Sequence, residues 1–153
     1  MLDKLVKDGY EVFSRYKLNT TITGCYCGVC LNEDYNKYLH EIPLNNIKGR
    51  DLMLYIQSVD IEKEGCNDLK YFFPKFLEII YLNIQKIEES DFCIFIWSLL
   101  DRIDYSLWEK DEKLLVINFF SEYWSVTKEP KDIELSDFSI DGIKSTVFKS
   151  LAL

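Results

Sequence analysis

The spacing of apolar residues predicts helices along most of the chain. Between Leu2 and Phe13, apolar positions recur at intervals of three and four residues. This is the pattern of a helix that buries one face. We therefore predict a first helix over residues 1–16, with its apolar stripe turned toward the rest of the protein.

The next part of the chain alternates between loop and helix. Residues 20–30 contain two glycines and several β-branched residues, which interrupt the helical pattern and predict a structured loop. Asn32 is a suitable N-cap for a short helix over residues 33–40, which Pro43 ends. Residues 49–59 return to helical spacing and predict a further helix.

A broad apolar stripe begins near Asp68, which together with Asn67 is a candidate helix cap. Pro74 falls inside this stripe. Because proline is tolerated in the first turn of a helix and disfavoured in its interior, we predict a break. A single turn over residues 68–73 would then precede a longer helix that begins at Pro74.

Residues 91–104 are apolar nearly all round, as expected for a helix enclosed by neighbours. The runs Phe92–Trp97 and Leu114–Phe120 are also short enough to be buried strands, and periodicity alone does not separate the two. Each run continues with helix-compatible residues, which favours helices. Residues 113–126 are then the antiparallel partner, after a charged turn over Trp108–Glu112.

These elements predict an all-α fold, with one compact domain of packed helical hairpins over residues 1–153. Residues 68–126 would form its core helices. Successive helix pairs of roughly 35 to 40 residues also suit a short α-solenoid-like stack. The tail, residues 130–153, alternates only weakly, and is either a loop or a loop leading to a last short helix over residues 141–151.

The amino-acid composition limits the classes of protein to which this chain can belong. A chain of 153 residues with 48% hydrophobic content has enough apolar surface for one packed core. The amphipathic N-terminus differs from a signal peptide, and no apolar stretch is long enough to span a bilayer. We therefore expect a cytoplasmic protein that does not bind membranes. The five cysteines, an odd number, favour reduced thiols or metal over a disulfide framework.

Charge is unevenly distributed along the chain. Residues 1–50 carry 7 Lys+Arg and 6 Asp+Glu, a net charge of +1, while residues 51–153 carry 11 and 20, a net charge of −9. The two parts sum to the total of −8. A negative outer face suits a basic partner and argues against binding of nucleic acid or anionic membrane.

Part of this acidic excess lies at the predicted turn between the last two core helices. Its carboxylates alternate with lysine and arginine, which is typical of a solvated loop. The alternative is a contact surface, in which acidic groups steer a partner and aromatic side chains anchor it. The candidate partner-binding residues are Asp101, Asp104, Tyr105, Trp108, Glu109, Asp111 and Glu112.

Three cysteines lie within six residues: Cys25, Cys27 and Cys30. This spacing with an intervening glycine lets a loop wrap around one tetrahedral ion such as zinc. A fourth ligand is missing locally, and His40, Cys66 and Cys93 are the other His and Cys candidates. Reduced or redox-sensitive thiols without metal, and a catalytic thiol, are the alternatives.

No other pattern indicates an enzyme. The sequence has no Gly-rich phosphate loop, no nucleophile elbow and no paired histidines on a helix. A catalytic thiol would need a base, and His40 is the only histidine. We therefore expect a protein that is not an enzyme and that has no cofactor, zinc excepted.

Several segments resemble an uncharacterised family of small bacterial helical proteins. Residues 24–30 (Gly-Cys-Tyr-Cys-Gly-Val-Cys) match its Cys-rich turn, and Pro43-Leu44 follows. Residues 68–78 (Asp-Leu-Lys-Tyr-Phe-Phe-Pro-Lys-Phe-Leu-Glu) match its Asp-x-x-Tyr-Phe-x-Pro-x-x-Leu-Glu motif. The region from Trp108 to Trp124 is similar too. The resemblance covers about residues 22–126 and implies a helical fold, without implying an activity.

In size, acidity and single-domain build, the chain also resembles the immunity proteins of bacterial toxin systems such as contact-dependent growth inhibition. This resemblance implies a cytoplasmic protein that binds one cognate toxin domain, often a basic nuclease, and blocks it. Such a protein needs no catalytic residues. The alternatives are a structural zinc- or redox-responsive protein and an unrecognised enzyme.

Overall fold

A computed structural model describes residues 1–27, 30–61, 67–85 and 93–127. Within these residues the chain forms α-helices and short 3-10 turns, and no strand is present. The prediction of an all-α single domain is confirmed. The helices are α1 (Leu2–Val12), α2 (Glu33–Glu41), α3 (Gly49–Ser58), α4 (Asn67–Ile84), α5 (Cys93–Arg102) and α6 (Lys110–Thr127).

Helix α4 lies at the centre of the domain and contacts α1, α5 and α6, while α3 packs against α5. Its phenylalanines Phe72, Phe73 and Phe76 are fully enclosed. Helix α1 contacts α4 and α6, which are distant in sequence. A solenoid restricts contacts to neighbouring repeats. These contacts are therefore those of a bundle around α4 rather than of a solenoid-like stack.

Local signals explain where α2 and α3 begin. The backbone N–H of Tyr35 donates to the Oδ1 atom of Asn32 at 2.8 Å, so Asn32 is the N-cap of α2, as predicted. At the start of α3, Asp51 accepts a hydrogen bond from the backbone N–H of Lys48 at 2.9 Å. Both contacts satisfy an N–H that the helix itself leaves without a partner.

The predicted break at Pro74 is wrong, because α4 runs through it. An interior proline costs a helix about 3 kcal/mol, but both halves of α4 bury apolar side chains, and their packing outweighs that cost. Pro74 is itself buried against α1. A β-carbon added at Gly9 would lie 3.6 Å from the Pro74 Cβ atom, which is an ordinary van der Waals distance, so the two helices pack closely here and still leave room for a methyl group.

Other boundaries differ from the prediction in smaller ways. The first helix ends as an α-helix at Val12 and continues as a 3-10 turn over Phe13–Arg15. Residues 114–120 lie within α6, so the strand alternative is wrong for this run. Of the other run, residues 93–97 are helical, and residues 91 and 92 lie outside the described residues. The predicted tail, residues 130–153 with its possible helix over 141–151, also lies outside them.

Among the helices of the described ranges, none combines the length and apolar character that crossing a membrane requires.

Candidate functional site

The first candidate site is the thiol loop, which we define as residues 19–31 without the undescribed residues 28 and 29. The Sγ atoms of Cys25, Cys27 and Cys30 all lie within 4.8 Å of one another. Those of Cys27 and Cys30 are 3.5 Å apart. Cys25 and Cys27 are exposed, and Cys30 is partly buried. The three predicted ligands are therefore close enough to bind one metal ion.

The thiols influence one another. The pKa of Cys30 is raised to about 11, chiefly by its hydrogen bond with the Cys27 thiol and further by burial and by Cys25. A thiol with a raised pKa is a poor nucleophile at neutral pH. The environment of Cys30 therefore does not favour it as a catalytic thiol, whereas a bound cation would favour the ionised sulfurs.

Close packing fixes the backbone around the cluster. The N–H of Leu31 donates to the Cys25 carbonyl at 3.0 Å, and the N–H of Cys25 donates to the Ser58 carbonyl at 3.2 Å. A β-carbon added at Gly24 would lie 2.5 Å from the Leu31 Cδ1 atom. Leu31 is buried, so this position has room only for glycine unless the leucine or the loop moves.

A buried carboxylate holds the segment that precedes the cluster. Asp68 has no exposed surface, and its two oxygens accept hydrogen bonds from the N–H groups of Asn19 (2.8 Å) and Thr23 (2.7 Å). Charge-assisted bonds of this kind are stronger than neutral ones. The sequence indicated Asp68 only as a helix cap and as the first residue of the proline motif, because nothing local shows that residues 45 and 49 positions away supply its partners.

Two polar residues of α2 complete the support of the loop. Asn36 accepts from the N–H of Ile22 at 2.9 Å and donates to the Thr20 carbonyl at 3.2 Å. The ring nitrogens of His40 lie 2.6 Å from the Asn36 carbonyl oxygen and 2.8 Å from the Asn19 carbonyl oxygen. His40 thus contacts the backbone of the loop at Asn19 through Nε2, while Nδ1 contacts the carbonyl of Asn36 in its own helix.

This arrangement bears on the fourth metal ligand. His40 is engaged with two carbonyl oxygens, so it is not a ligand in this arrangement. Cys66 lies outside the described residues, and Cys93 is the first residue of α5. Within the described part of the chain, the ligand group consists of the three loop cysteines.

The second candidate site is the acidic turn, which we define as residues 101–112. The structure divides the seven predicted partner-binding residues into two groups. Four of them are exposed carboxylates, namely Asp101, Asp104, Glu109 and Asp111. The other three are buried, namely Tyr105, Trp108 and Glu112.

The two aromatic residues of the turn belong to the core. The ring of Trp108 packs 4.7 Å from that of Phe73 and 5.6 Å from that of Phe13, measured between centroids. Tyr105 has no exposed surface, and its hydroxyl donates to the Leu100 carbonyl at 3.2 Å. The interpretation of these rings as exposed anchors does not match their placement.

Glu112 is the centre of a buried ionic network. Its carboxylate accepts from Arg15 Nη2 at 2.7 Å, from Lys70 Nζ at 2.8 Å and from the Tyr16 hydroxyl. Burial alone would raise the pKa of Glu112, but these hydrogen bonds outweigh it and lower the pKa. Glu112 therefore ties the end of the first helical segment to α4 and α6, and it is not part of a solvated loop.

The exposed apolar residue of the turn is Leu107, whose exposed fraction is 76%. The sequence did not indicate it, because a leucine between Tyr105 and Trp108 looks like part of the same apolar cluster. The 3-10 turn Tyr105–Leu107 points its first residue into the core and leaves Leu107 in solvent. The acidic turn thus presents one leucine together with four carboxylates.

Comparison of the chain with protein-family models, with curated proteins and with solved structures finds no match. The resemblances drawn from the cysteine motif, the proline motif and the overall acidity therefore stay predictions. Any function has to be argued from the geometry of the thiol loop and of the acidic turn.

Proposed function

We propose that the protein is a binding protein that neutralises a cognate bacterial toxin, in the manner of an immunity protein, by covering a basic toxin domain such as a nuclease. The observation that carries this proposal is the exposed leucine of the acidic turn, with carboxylates on both sides of it in sequence. An apolar centre with a charged rim is a common composition of protein interfaces.

The carboxylates of the turn differ in their availability to a partner. Hydrogen bonds with the side chain of Ser106 and with its backbone N–H, which donates to Asp104 at 2.9 Å, lower the pKa of Asp104. Asp111 is already paired with Arg15 at 3.0 Å. We therefore assign the steering charge to Asp101, Asp104 and Glu109, and the anchoring contact to Leu107.

Charge reversal tests the steering role. The partner in this test would be a toxin domain encoded by a neighbouring gene, and the measurement is its association rate with the immobilised protein over a range of salt concentrations. Replacing Asp101, Asp104 and Glu109 with lysine should slow association at low salt. The difference from wild type should shrink above about 0.1 M salt, because screening removes the steering.

Truncation of the leucine tests the anchoring role. Leu107→Ala should speed dissociation about tenfold, which corresponds to about 1.4 kcal/mol. Leu114→Ala is the matched control, since Leu114 is also exposed but lies on α6 outside the turn. Wild-type kinetics for both Leu107→Ala and the lysine variant would exclude the turn as the interface. A neighbouring gene that encodes no toxin domain would contradict the immunity role itself.

A second function is supported by a separate observation, the proximity of three sulfur atoms in the thiol loop. We propose that this loop holds zinc, because thiolates favour zinc over the oxygen-seeking ions calcium and magnesium. Cys25, Cys27 and Cys30 would be the protein ligands. The bound ion would stabilise the loop, since a metal that binds only the folded state adds its binding energy to folding.

Metal analysis tests the zinc proposal. Purified protein should contain about one equivalent of zinc, and chelation should lower its melting temperature. Replacement of Cys25, Cys27 or Cys30 with serine should reduce the zinc content, while Leu114→Ala, at an exposed residue of α6, is a control that should retain it. Metal-free protein that also fails to take up added zinc would contradict the proposal and leave the reduced-thiol alternative.

A further inference from the structure

We infer that Asp68 is the positioning residue of the thiol cluster, and that it sets the affinity of the loop for metal without touching the ion. This inference rests on the proposed zinc site. It is carried by the two hydrogen bonds that the Asp68 carboxylate accepts from the loop backbone, at 2.8 Å from Asn19 and at 2.7 Å from Thr23.

The two bonds act on a short stretch of chain directly before the ligands. Because the donors are residues 19 and 23, the Asp68 carboxylate holds both ends of this five-residue stretch. We call this pair of hydrogen bonds the bracket. Gly24 and Cys25 follow at once. Asp68 lies in the first turn of α4, the central helix, and has no exposed surface. These two hydrogen bonds therefore tie the loop to the buried central helix of the fold.

Hydrogen bonds to two further helices also hold the loop. Asn36 of α2 binds the backbone of Thr20 and Ile22, and the N–H of Cys25 binds the carbonyl of Ser58 at the end of α3. Loop residues 19–25 are thus held by three different helices, through their backbone atoms. The Asp68 contact is the ionic one among them.

The distances between the sulfur atoms of this supported loop can be compared with those around a zinc ion. Two thiolates on a tetrahedral zinc ion, each about 2.3 Å from the metal, lie roughly 3.8 Å apart. The Sγ atoms of Cys27 and Cys30 are 3.5 Å apart, and all three Sγ atoms lie within 4.8 Å of one another. The supported loop therefore holds its sulfurs near the spacing that one ion requires, so binding requires little further ordering. Loss of the bracket would add that ordering to every binding event.

The test is the zinc affinity of Asp68→Asn, measured by competition with a chromophoric chelator. The amide has the same shape, but it offers one acceptor oxygen and turns an NH₂ group toward the second backbone donor. We expect the zinc dissociation constant to rise about 10- to 100-fold, the range for lost outer contacts of metal ligands. The visible absorption of the cobalt(II)-loaded protein should change as well, because it reports ligand geometry.

The matched control is Glu112→Gln, which alters the other buried carboxylate that accepts backbone and side-chain hydrogen bonds. Its partners are Arg15, Tyr16, Lys70 and the N–H of Glu109, none of them in the thiol loop. It should lower stability but leave the zinc affinity and the cobalt spectrum as in wild type. Equal loss of affinity in both variants would overturn the inference, because general destabilisation would then explain it.

A second variant covers the case in which Asp68→Asn does not fold. Ligation of a residue 1–24 thioester to a chain that begins at Cys25 allows the Thr23 backbone amide to be replaced by an ester. This change removes the N–H that donates to Asp68 and no side chain. Zinc affinity should fall here too, and an unchanged affinity would overturn the inference. Absence of zinc binding in the wild type would instead refute the proposed zinc site.

Discussion

The thiol loop and the acidic turn are both short polar connections, yet they are supported in opposite ways. The loop is held through its backbone by side chains of other elements, such as Asp68 and Asn36, and the side chains of Cys25 and Cys27 stay exposed. The turn is held through its own side chains, since Trp108 and Glu112 are buried. The comparison teaches that the residues which fix a connection are not available to a partner.

The largest expected effect is a difference in stability between alanine variants of two neighbouring residues in the turn. Trp108→Ala should cost about 3–5 kcal/mol of unfolding free energy, because it removes a ring enclosed by Phe13 and Phe73. Leu107→Ala should change it by less than about 0.5 kcal/mol, since this side chain is mostly in solvent. Urea unfolding measures both. Similar losses in the two variants would mean that the turn is packed differently.

Replacing two glycines with alanine should change stability by intermediate amounts and in opposite directions. Gly24→Ala should lower the free energy of unfolding by about 1–3 kcal/mol, because the new methyl group would meet Leu31 at 2.5 Å. Gly9→Ala should raise it by up to about 1 kcal/mol, because its methyl group would meet its neighbours at 3.5 Å or more and alanine favours the helix. Thermal and urea unfolding measure both. A stable Gly24→Ala variant would show that the thiol loop is less tightly fixed than the contacts indicate.

The smallest effect is the pH dependence that Glu112 contributes. Since its folded-state pKa lies below the ordinary value of 4.5, the ionised form stabilises the protein above that value. This contribution disappears as the pH falls through the lowered pKa. The stability difference between wild type and Glu112→Gln should thus stay constant down to about pH 5 and shrink below about pH 4. A difference that grows in acid would contradict the network.

Sequence reasoning succeeded where the determining contacts are local. The cap at Asn32 depends on a residue three positions away, and the proximity of Cys25, Cys27 and Cys30 follows from their spacing. It failed where distant residues decide. The aromatic partners that bury Trp108 lie on α4 and on the turn that follows α1, and no pattern near Trp108 indicates them.

The prediction of a helix break at Pro74 failed for a related reason. A local rule predicted that Pro74 would begin a helix, but packing on both sides of it preserved a single helix. Likewise, the alternation of charges at the acidic turn favoured solvated carboxylates for all five acidic residues of the turn. Glu112 became buried because Arg15 and Lys70 reach it from remote parts of the chain.

The attachment of the thiol loop through backbone atoms has a consequence for sequence variation. Backbone N–H and C=O groups are the same in every residue except proline, so positions 19, 20 and 23 can change identity while their hydrogen bonds persist. Asp68 and Asn36 have no such freedom, because their side chains make the bonds. A library that randomises both groups of positions should therefore accumulate substitutions at positions 19, 20 and 23 and exclude proline at 19 and 23, where the N–H is the donor, while Asp68 and Asn36 stay fixed.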